Sequence, residues 1–221
     1  MTASTSFYDE LSKTGWSCRE TGLSNESELA DTVLETARDL GAVMKGRRGS
    51  HVERLESMEK DRAPASSLSA QFGRGEFPCH VDMAHLPVPC RYVVLGCGFA
   101  KERPAATLIQ SVGELRFSPD EVDCMHTGVF LVKNGRRSFF ASVLSGRRKF
   151  FRWDPGCMQA KDEYARVAQT AIERELGAID PVRHQWRAGS ILVLDNWKVL
   201  HGRDSCDRDG AQRVIYRSGV S

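Results

Sequence analysis

The stretch Phe77-Pro78-Cys79-His80-Val81-Asp82 places an imidazole and a carboxylate two residues apart. Alternate side chains of a β-strand lie on the same face, so an extended segment here puts His80 and Asp82 side by side. One neutral imidazole and one carboxylate are two of the three protein ligands of a non-haem iron site. The stretch therefore predicts a metal-binding strand that lacks only a second histidine.

A candidate for that histidine lies far along the chain, in Leu194-Asp195-Asn196-Trp197-Lys198-Val199-Leu200-His201-Gly202-Arg203. The apolar strand that ends at Asp195-Asn196 would deliver His201 to an open end of the fold. Two histidines and one carboxylate leave three positions free on the metal, which suits Fe(II) oxygen chemistry. His85 should face away from the metal and line the pocket. The other histidines, at 51, 126 and 184, are expected to be ordinary core or surface residues.

The predicted last strand, residues 212–217, carries two arginines. Arg213 and Arg217 are four residues apart, so they share a face of the strand. Two guanidiniums on one face can bind a carboxylate through paired hydrogen bonds. The apolar run Val214-Ile215-Tyr216 between them indicates an inward-facing role for Arg213.

The order of these motifs resembles that of the Fe(II)/2-oxoglutarate-dependent dioxygenases, and more closely the taurine dioxygenase and clavaminate synthase-like branch. The run from Ser67 to Asp82 is similar to that branch's approach to the iron strand, and Asp195–Arg203 is similar to its approach to the distal histidine. The resemblance spans roughly residues 65–220. One departure is Arg103-Pro104-Ala105-Ala106, which stands where the family usually has a glycine-rich loop.

The resemblance implies a role for each matching residue. His80, Asp82 and His201 correspond to the iron ligands, and Arg213 corresponds to the arginine that pairs with the far carboxylate of 2-oxoglutarate. Thr107 lies where a hydroxyl often joins that carboxylate, although a plain strand threonine is an equal alternative. Cofactor binding is thus assigned to Arg213, Thr107 and Arg217, and the candidate substrate residues are Arg217, Arg203, His85 and Trp197.

The same resemblance implies Fe(II), 2-oxoglutarate and O2 as the reaction's cofactor and cosubstrates, with succinate and CO2 released. The substrate is expected to be small, polar and anionic or amino-acid-like, either free or carrier-tethered. Asp82 stands where related halogenases have Gly or Ala, so hydroxylation, desaturation or cyclisation is favoured over halogenation. The alternative is a non-catalytic or 2-oxoglutarate-independent jelly-roll metal-binding protein.

The composition fits a globular enzyme. The chain has 221 residues, 41% of them hydrophobic, which is enough for one sizeable core. The net charge of +2 gives no bulk electrostatic reason to expect nucleic acid or a membrane as partner. Seven cysteines without a C-x-x-C pair argue against a zinc ribbon or a redox dithiol. We find no signal peptide and predict a cytoplasmic protein, while the oligomeric state stays open.

The pattern of elements predicts an α+β fold, with a double-stranded β-helix (jelly roll) core and supporting N-terminal and inserted helices. We expect a single domain over 1–221, with a helical lead-in and candidate lid loop in 1–65 and the jelly-roll core in 66–221. Asn25 should cap a helix that Gly41 ends, and a second helix should span 161–176, closed by Gly177. A hairpin is predicted around Asn134-Gly135. The basic runs Arg47-Arg48, Arg136-Arg137 and Arg147-Arg148-Lys149 are expected to be solvated turns.

Overall fold

The computed structural model describes residues 3–46, 49–63, 67–145, 148–206 and 211–221. These residues form five α-helices: α1 (Ala3–Thr14), α2 (Glu26–Leu40), α3 (Leu68–Phe72), α4 (Pro119–Thr127) and α5 (Glu163–Ala178). They also form fourteen strands: β1 (Trp16–Glu20), β2 (Glu53–Glu56), β3 (Phe77–His80), β4 (Tyr92–Ala100), β5 (Thr107–Ser111), β6 (Phe130–Val132), β7 (Phe139–Ala141), β8 (Leu144–Ser145), β9 (Arg148–Phe151), β10 (Met158–Ala160), β11 (Val182–His184), β12 (Ser190–Asp195), β13 (Val199–Arg203) and β14 (Arg213–Val220).

Two antiparallel sheets carry the core. The first has the strand order β1-β12-β4-β14-β2, and the second has the order β11-β5-β13-β3. Side chains of β4, β12 and β14 in the first sheet pack against Ile109 of β5 and Val199 of β13 in the second. The chain passes from one sheet to the other between β12 and β13, at residues 196–198. This pair of facing sheets is the predicted jelly roll, which the structure confirms.

The N-terminal helices cover the outer face of the first sheet. Leu29 and Val33 of α2 pack with Val94 of β4 and Ile191 of β12. Helix α2 lies so close to the sheet that a Cβ on Gly96 would come within 2.4 Å of Val33. Because both of its faces are covered, strand β12 is buried along its whole length, which explains its continuous apolar sequence.

Helices α4 and α5 support the other end of the molecule. They pack with the small sheet β10-β6-β7 around a second cluster that includes Phe130, Trp153 and Ile172. Strands β6 and β7 pair antiparallel on either side of Asn134-Gly135, as the hairpin signal predicts. All seven cysteines are free. None of the helices in the described part of the chain is both long and apolar enough to cross a membrane.

The helix predictions hold with one correction. The side chain of Asn25 accepts hydrogen bonds from the backbone N–H groups of Ser27 and Glu28, so it caps α2 as expected, and Gly41 follows the helix end. Helix α5, in contrast, continues through Gly177 to Ala178. A Cβ at Gly177 would meet nothing within 4 Å, so this glycine has no steric reason to end the helix.

The segment 1–65 is not only a helical lead-in and loop. Strand β1 pairs with β12, and β2 pairs with β14, so this segment supplies both edges of the first sheet. The candidate lid loop therefore contains a strand fixed to the core. Of the predicted loops and basic runs, residues 47, 48, 64–66, 146 and 147 lie outside the described part of the chain.

Candidate active site

Strand β13 holds His201 between two neighbouring strands. His201 is opposite His80 of β3 on one side and Ile109 of β5 on the other. Residues directly opposite each other in a sheet project from the same face. The two imidazole rings accordingly lie with centroids 4.8 Å apart, and both side chains are buried. The strand register thus brings together two histidines that are distant in sequence.

The ring nitrogens of both histidines suit a metal. His80 Nδ1 lies 2.9 Å from the carbonyl oxygen of Pro78 and donates to it, which leaves Nε2 with its lone pair free. His201 Nδ1 is buried and has no hydrogen-bond partner among the described residues. Burial, and secondly the nearby His80, lower the pKa of His201 to about 3, so its ring is neutral at pH 7. Neutral imidazole is the form that binds metals.

Asp82 lies beyond the strand that was expected to carry it. Strand β3 ends at His80, and Asp82 begins a turn in which Met83 has a φ of 57°. The expectation that His80 and Asp82 share one strand face is therefore wrong. A left-handed conformation is costly for a residue with a side chain, so surrounding contacts must hold this turn in place.

The carboxamide of Asn196 holds the Asp82 backbone on both sides. Asn196 Oδ1 accepts from the Asp82 N–H at 2.9 Å, and Nδ2 donates to the Asp82 carbonyl oxygen at 3.0 Å. Nδ2 also donates to the carbonyl oxygen of Cys90 at 2.8 Å. Asn196 is only 1% exposed, so its carboxamide makes these contacts in the protein interior. The turn between the two sheets thus fixes the position of the carboxylate residue.

The Asp82 carboxylate is paired with Arg217. Arg217 Nη1 donates to both Asp82 oxygens, at 3.0 and 2.9 Å, and Nη2 donates to Glu53 of β2 at 2.7 Å. Burial alone would raise the pKa of Asp82, but the Arg217 charge and then the two histidines lower it to about 2. Asp82 is therefore ionised at neutral pH.

Two imidazoles and an ionised carboxylate are a donor set that fits Fe(II). The unpartnered Nδ1 of buried His201 agrees with that fit, because such an atom is costly unless a ligand meets it. Within the described residues, no group of three or more His, Cys, Asp or Glu side chains is already arranged to hold a metal ion. His80, His201 and Asp82 are the residues that would hold the ion, and in this structure the Asp82 carboxylate is paired with Arg217.

A second group of polar side chains, which we call the anion pocket, consists of Arg213, Thr107 and Trp186. Thr107 Oγ1 accepts from Arg213 Nη1 at 3.2 Å and from Trp186 Nε1 at 3.0 Å. A hydroxyl has two acceptor sites and one proton, so the Thr107 proton is left to donate to a ligand. Thr107 is thus part of a buried polar cluster and not an isolated strand threonine.

Arg213 is the cationic member of the anion pocket. It is buried, and no carboxylate in the described part of the chain lies within ion-pair distance of it. Burial lowers its pKa to about 10, so the guanidinium is still charged at pH 7. A buried cation that pairs with no anion of the described residues is unfavourable, and a bound anion would relieve that cost.

The structure gives different surroundings to the other candidate substrate residues. Arg203 donates to the carbonyl oxygens of Gly73 and Gly75 and stacks on Phe77 at 3.6 Å, so it holds the approach to β3. Trp197 packs against Phe150 and donates to the carbonyl oxygen of Pro89. None of these contacts of Arg203 and Trp197 involves His80 or His201. His85 lies partly buried in the turn after Asp82.

Sequence reasoning missed three residues of the site: Asn196, Trp186 and Glu53. Asn196 belongs to the quoted approach to His201, but its contact with Asp82 depends on folding. The role of Trp186 depends in the same way on the pairing of β11 with β5. Glu53 lies in a short charged strand that no apolar pattern reveals.

A surface cleft of about 740 Å³ lies at residues 100–104 and 185–188. It contacts Trp186, so it adjoins the anion pocket. Neither His80 nor His201 lines this cleft, so a search for surface clefts would not have located the two histidines.

Comparison with protein families finds a match over the part of the chain that carries His201 and the two arginines of β14. A family model described as "Taurine catabolism dioxygenase TauD, TfdA family" matches residues 179–218, which include His201, Arg213 and Arg217. No curated protein matches the chain.

Solved structures are similar over nearly the whole chain. Asparagine oxygenase in complex with Fe(II), 2S,3S-3-hydroxyasparagine and succinate aligns with a TM-score of 0.76 and 20% identity, covering 98% of this chain and 77% of that one. The non-haem iron oxygenase OrfP, in complex with Fe and alpha-ketoglutaric acid, aligns with a TM-score of 0.77 and 16% identity, covering 99% and 79%. The chain thus has the fold of TauD-like Fe(II)/2-oxoglutarate oxygenases, and its residues 179–218 match the TauD, TfdA family in sequence.

Proposed function

We propose that this protein is a non-haem Fe(II)/2-oxoglutarate-dependent oxygenase that oxidises a small amino-acid-like substrate. The observation that carries the proposal is the register of β13 with β5. His201 is opposite Ile109, and Arg203 is opposite Thr107, so the histidine pair and the anion pocket lie two residues apart. Two strand residues span about 7 Å. A five-carbon dicarboxylate can bridge that distance with one end on a metal and the other at Arg213.

His80, Asp82 and His201 would hold the iron, with His80 Nε2 freed by the hydrogen bond from Nδ1 to Pro78. When bound, Fe(II) and 2-oxoglutarate activate O2 and oxidise a C–H bond, with succinate and CO2 as co-products. The protein's residues position the reactants and exclude water. Arg213 and the Thr107 hydroxyl bind the far carboxylate of the cosubstrate, and both histidines are buried.

Arg217 is the candidate contact for an anionic substrate. It already pairs with Asp82 and Glu53, and its side chain keeps 21% of its surface exposed. A substrate carboxylate can approach that exposed side, while Glu53 holds the guanidinium in place. Glu53 belongs to the segment 1–65 in which the candidate lid loop was predicted, so its contact with Arg217 would link that segment to the substrate side of the site.

The substrate class is proposed from the similar structures. Asparagine oxygenase was solved with 3-hydroxyasparagine, and OrfP with (3S)-hydroxy-L-Arg, both in the presence of succinate. Hydroxylation of a free amino acid is therefore the reaction we favour, and desaturation, cyclisation and a carrier-tethered substrate are alternatives to it. A cytoplasmic location stays a prediction.

The proposal is tested by anaerobic titration of the Fe(II)-loaded protein with 2-oxoglutarate. We expect the weak visible charge-transfer band of the chelate, and we expect His201→Ala to abolish it. If the band appears, succinate release with L-asparagine, L-arginine and other amino acids identifies the substrate. Iron binding without the band would instead favour a metal-dependent protein that uses no 2-oxoglutarate, and failure to bind iron would favour a non-catalytic jelly roll.

A further inference from the structure

His184 lies next to the anion pocket, although the sequence suggested an ordinary core or surface histidine. It is the last residue of β11 and is directly opposite Thr107 of β5. Thr107 is in turn opposite Arg203 of β13, so the three side chains form one row across the inner face of the second sheet. His184 therefore projects on the same side as the Thr107 hydroxyl.

The His184 ring is held by the indole of Trp186. The two ring centroids are 4.6 Å apart and the planes are at 90°, an edge-to-face arrangement. The same indole donates to Thr107 and lies 5.4 Å from the Arg213 guanidinium. Trp186 thus links His184 to both of the other members of the anion pocket.

The Nε2 atom of His184 is buried and has no hydrogen-bond partner among the described residues. Burial, followed by the Arg213 charge, lowers the pKa of His184 to about 4. The ring is therefore neutral at pH 7 and carries one N–H, which a ligand can use. A buried polar atom without a partner is costly, and the neighbouring Arg213, which pairs with no carboxylate of the described residues, suggests that an anion would satisfy it.

We infer that His184 is an additional cosubstrate-binding residue, whose Nε2–H donates to the far carboxylate of the dicarboxylate bound by Arg213 and Thr107. This inference rests on the proposed function. Three donors would then surround that carboxylate: a guanidinium, a hydroxyl and an imidazole. The pocket would select a ligand with an anionic end over one with an apolar end, because all three donors would lose their partner in the latter case.

Two substitutions separate this hydrogen bond from simple packing. His184→Phe keeps a ring edge against Trp186 and removes the donor, whereas His184→Gln keeps a donor and removes the ring. Binding is measured by calorimetry on the full chain loaded anaerobically with Co(II), with two probes. One probe is 2-oxoglutarate, and the other is 2-oxovalerate, which has five carbons and no far carboxylate.

We expect His184→Phe to weaken 2-oxoglutarate binding roughly 10-fold or more, the usual effect of losing a hydrogen bond to a charged group. His184→Gln should retain most of the affinity, and 2-oxovalerate should bind wild type and His184→Phe equally. The inference is overturned if His184→Phe binds 2-oxoglutarate as wild type does, or if it weakens both probes alike. The inference is also overturned if His184→Gln binds 2-oxoglutarate as weakly as His184→Phe does, while circular dichroism shows that the variant is folded. Failure of wild type to bind 2-oxoglutarate would instead count against the proposed function itself.

Discussion

Arg213 is buried beside a hydroxyl and an indole, and no carboxylate of the described residues pairs with it. Its inward-facing position was predicted from the apolar run Val214-Ile215-Tyr216 beside it, and its burial confirms that position. The family resemblance pointed to Thr107, with a plain strand threonine as an equal alternative, and only the structure shows that its oxygen accepts two hydrogen bonds. His184 could not be predicted, because a single histidine carries no pattern and its neighbours come from other strands.

We expect Arg213→Ala to weaken 2-oxoglutarate binding by about 2–5 kcal/mol, because a buried charged contact is lost. Calorimetry on the Co(II)-loaded protein measures the change. Arg183→Ala is the matched control, since Arg183 is an exposed arginine of β11 that pairs with Asp204. Unchanged affinity in Arg213→Ala would mean that this arginine does not bind the cosubstrate.

At the scale of single elements, the turn after β3 depends on the turn between β12 and β13. Asn196 satisfies both backbone groups of Asp82, and Arg152 donates to the carbonyl oxygens of Leu86 and Pro87 a few residues later. The role of Asp82 as a metal ligand stays a prediction, and the strand predicted to carry it ends at His80. An H-x-D pattern has the spacing of a strand, and the contacts that end β3 at His80 come from distant parts of the chain.

We expect Asn196→Leu to weaken Co(II) binding roughly 10-fold, in the range found when groups that orient metal ligands are removed. The unfolding free energy should also fall by about 1–3 kcal/mol for each backbone group left unsatisfied. Gln110→Leu is the control, because Gln110 is a buried carboxamide whose Nε2 donates to Glu114 and not to the site. Equal metal affinity in Asn196→Leu and wild type would rule out the positioning role.

A second prediction at this scale concerns Gly202, between His201 and Arg203. The register of β13 with β3 shifts here, and a Cβ would come within 2.5 Å of the Phe77 carbonyl oxygen. Gly202→Ala must therefore move β13 away from β3, and we expect it to lower the unfolding free energy by about 1–3 kcal/mol.

The same shift should separate the two histidines and weaken Co(II) binding. Urea denaturation and metal titration together check both effects. Gly113→Ala serves as control, since its Cβ would meet only Ser111 Oγ at 3.6 Å. A stable Gly202→Ala protein with normal metal affinity would show that the close approach of the strands is not needed.

At the scale of the whole molecule, two histidines with lowered pKa values contribute to the response to acid. Burial is the main cause that lowers the pKa of His201 to about 3 and of His184 to about 4, from an ordinary 6.5. Between pH 6.5 and 4 the unfolded chain therefore binds protons that the folded protein does not. The unfolding free energy must fall as pH decreases through this range.

We expect the urea midpoint of the metal-free protein to decrease steadily from pH 6.5 to pH 4.5, and His184→Phe to make that decrease shallower. His51→Gln, which removes an exposed imidazole, is the control. A pH dependence identical in wild type and His184→Phe would show that His184 is already accessible to protons in the folded state.

The jelly roll, α2 and the central strands could be predicted because long apolar runs and a capped helix have clear patterns. Strands β1 and β2 could not, because they are short and carry charged residues such as Arg19, Arg54 and Glu56. Their place in the sheet is decided by the partner strands β12 and β14, and not by their own sequence.

That placement of β1 and β2 has a consequence for how the protein folds. Each edge strand pairs with a strand far later in the sequence: β1 (Trp16–Glu20) with β12 (Ser190–Asp195), and β2 (Glu53–Glu56) with β14 (Arg213–Val220). Such long-range pairing incurs a large loop-closure entropy before any contact is gained, and chains of this kind fold slowly. During synthesis on the ribosome, β1 and β2 must wait until β12 and β14 have emerged. The first sheet should therefore form late, and a chaperone that shields these early segments would raise the yield of folded protein.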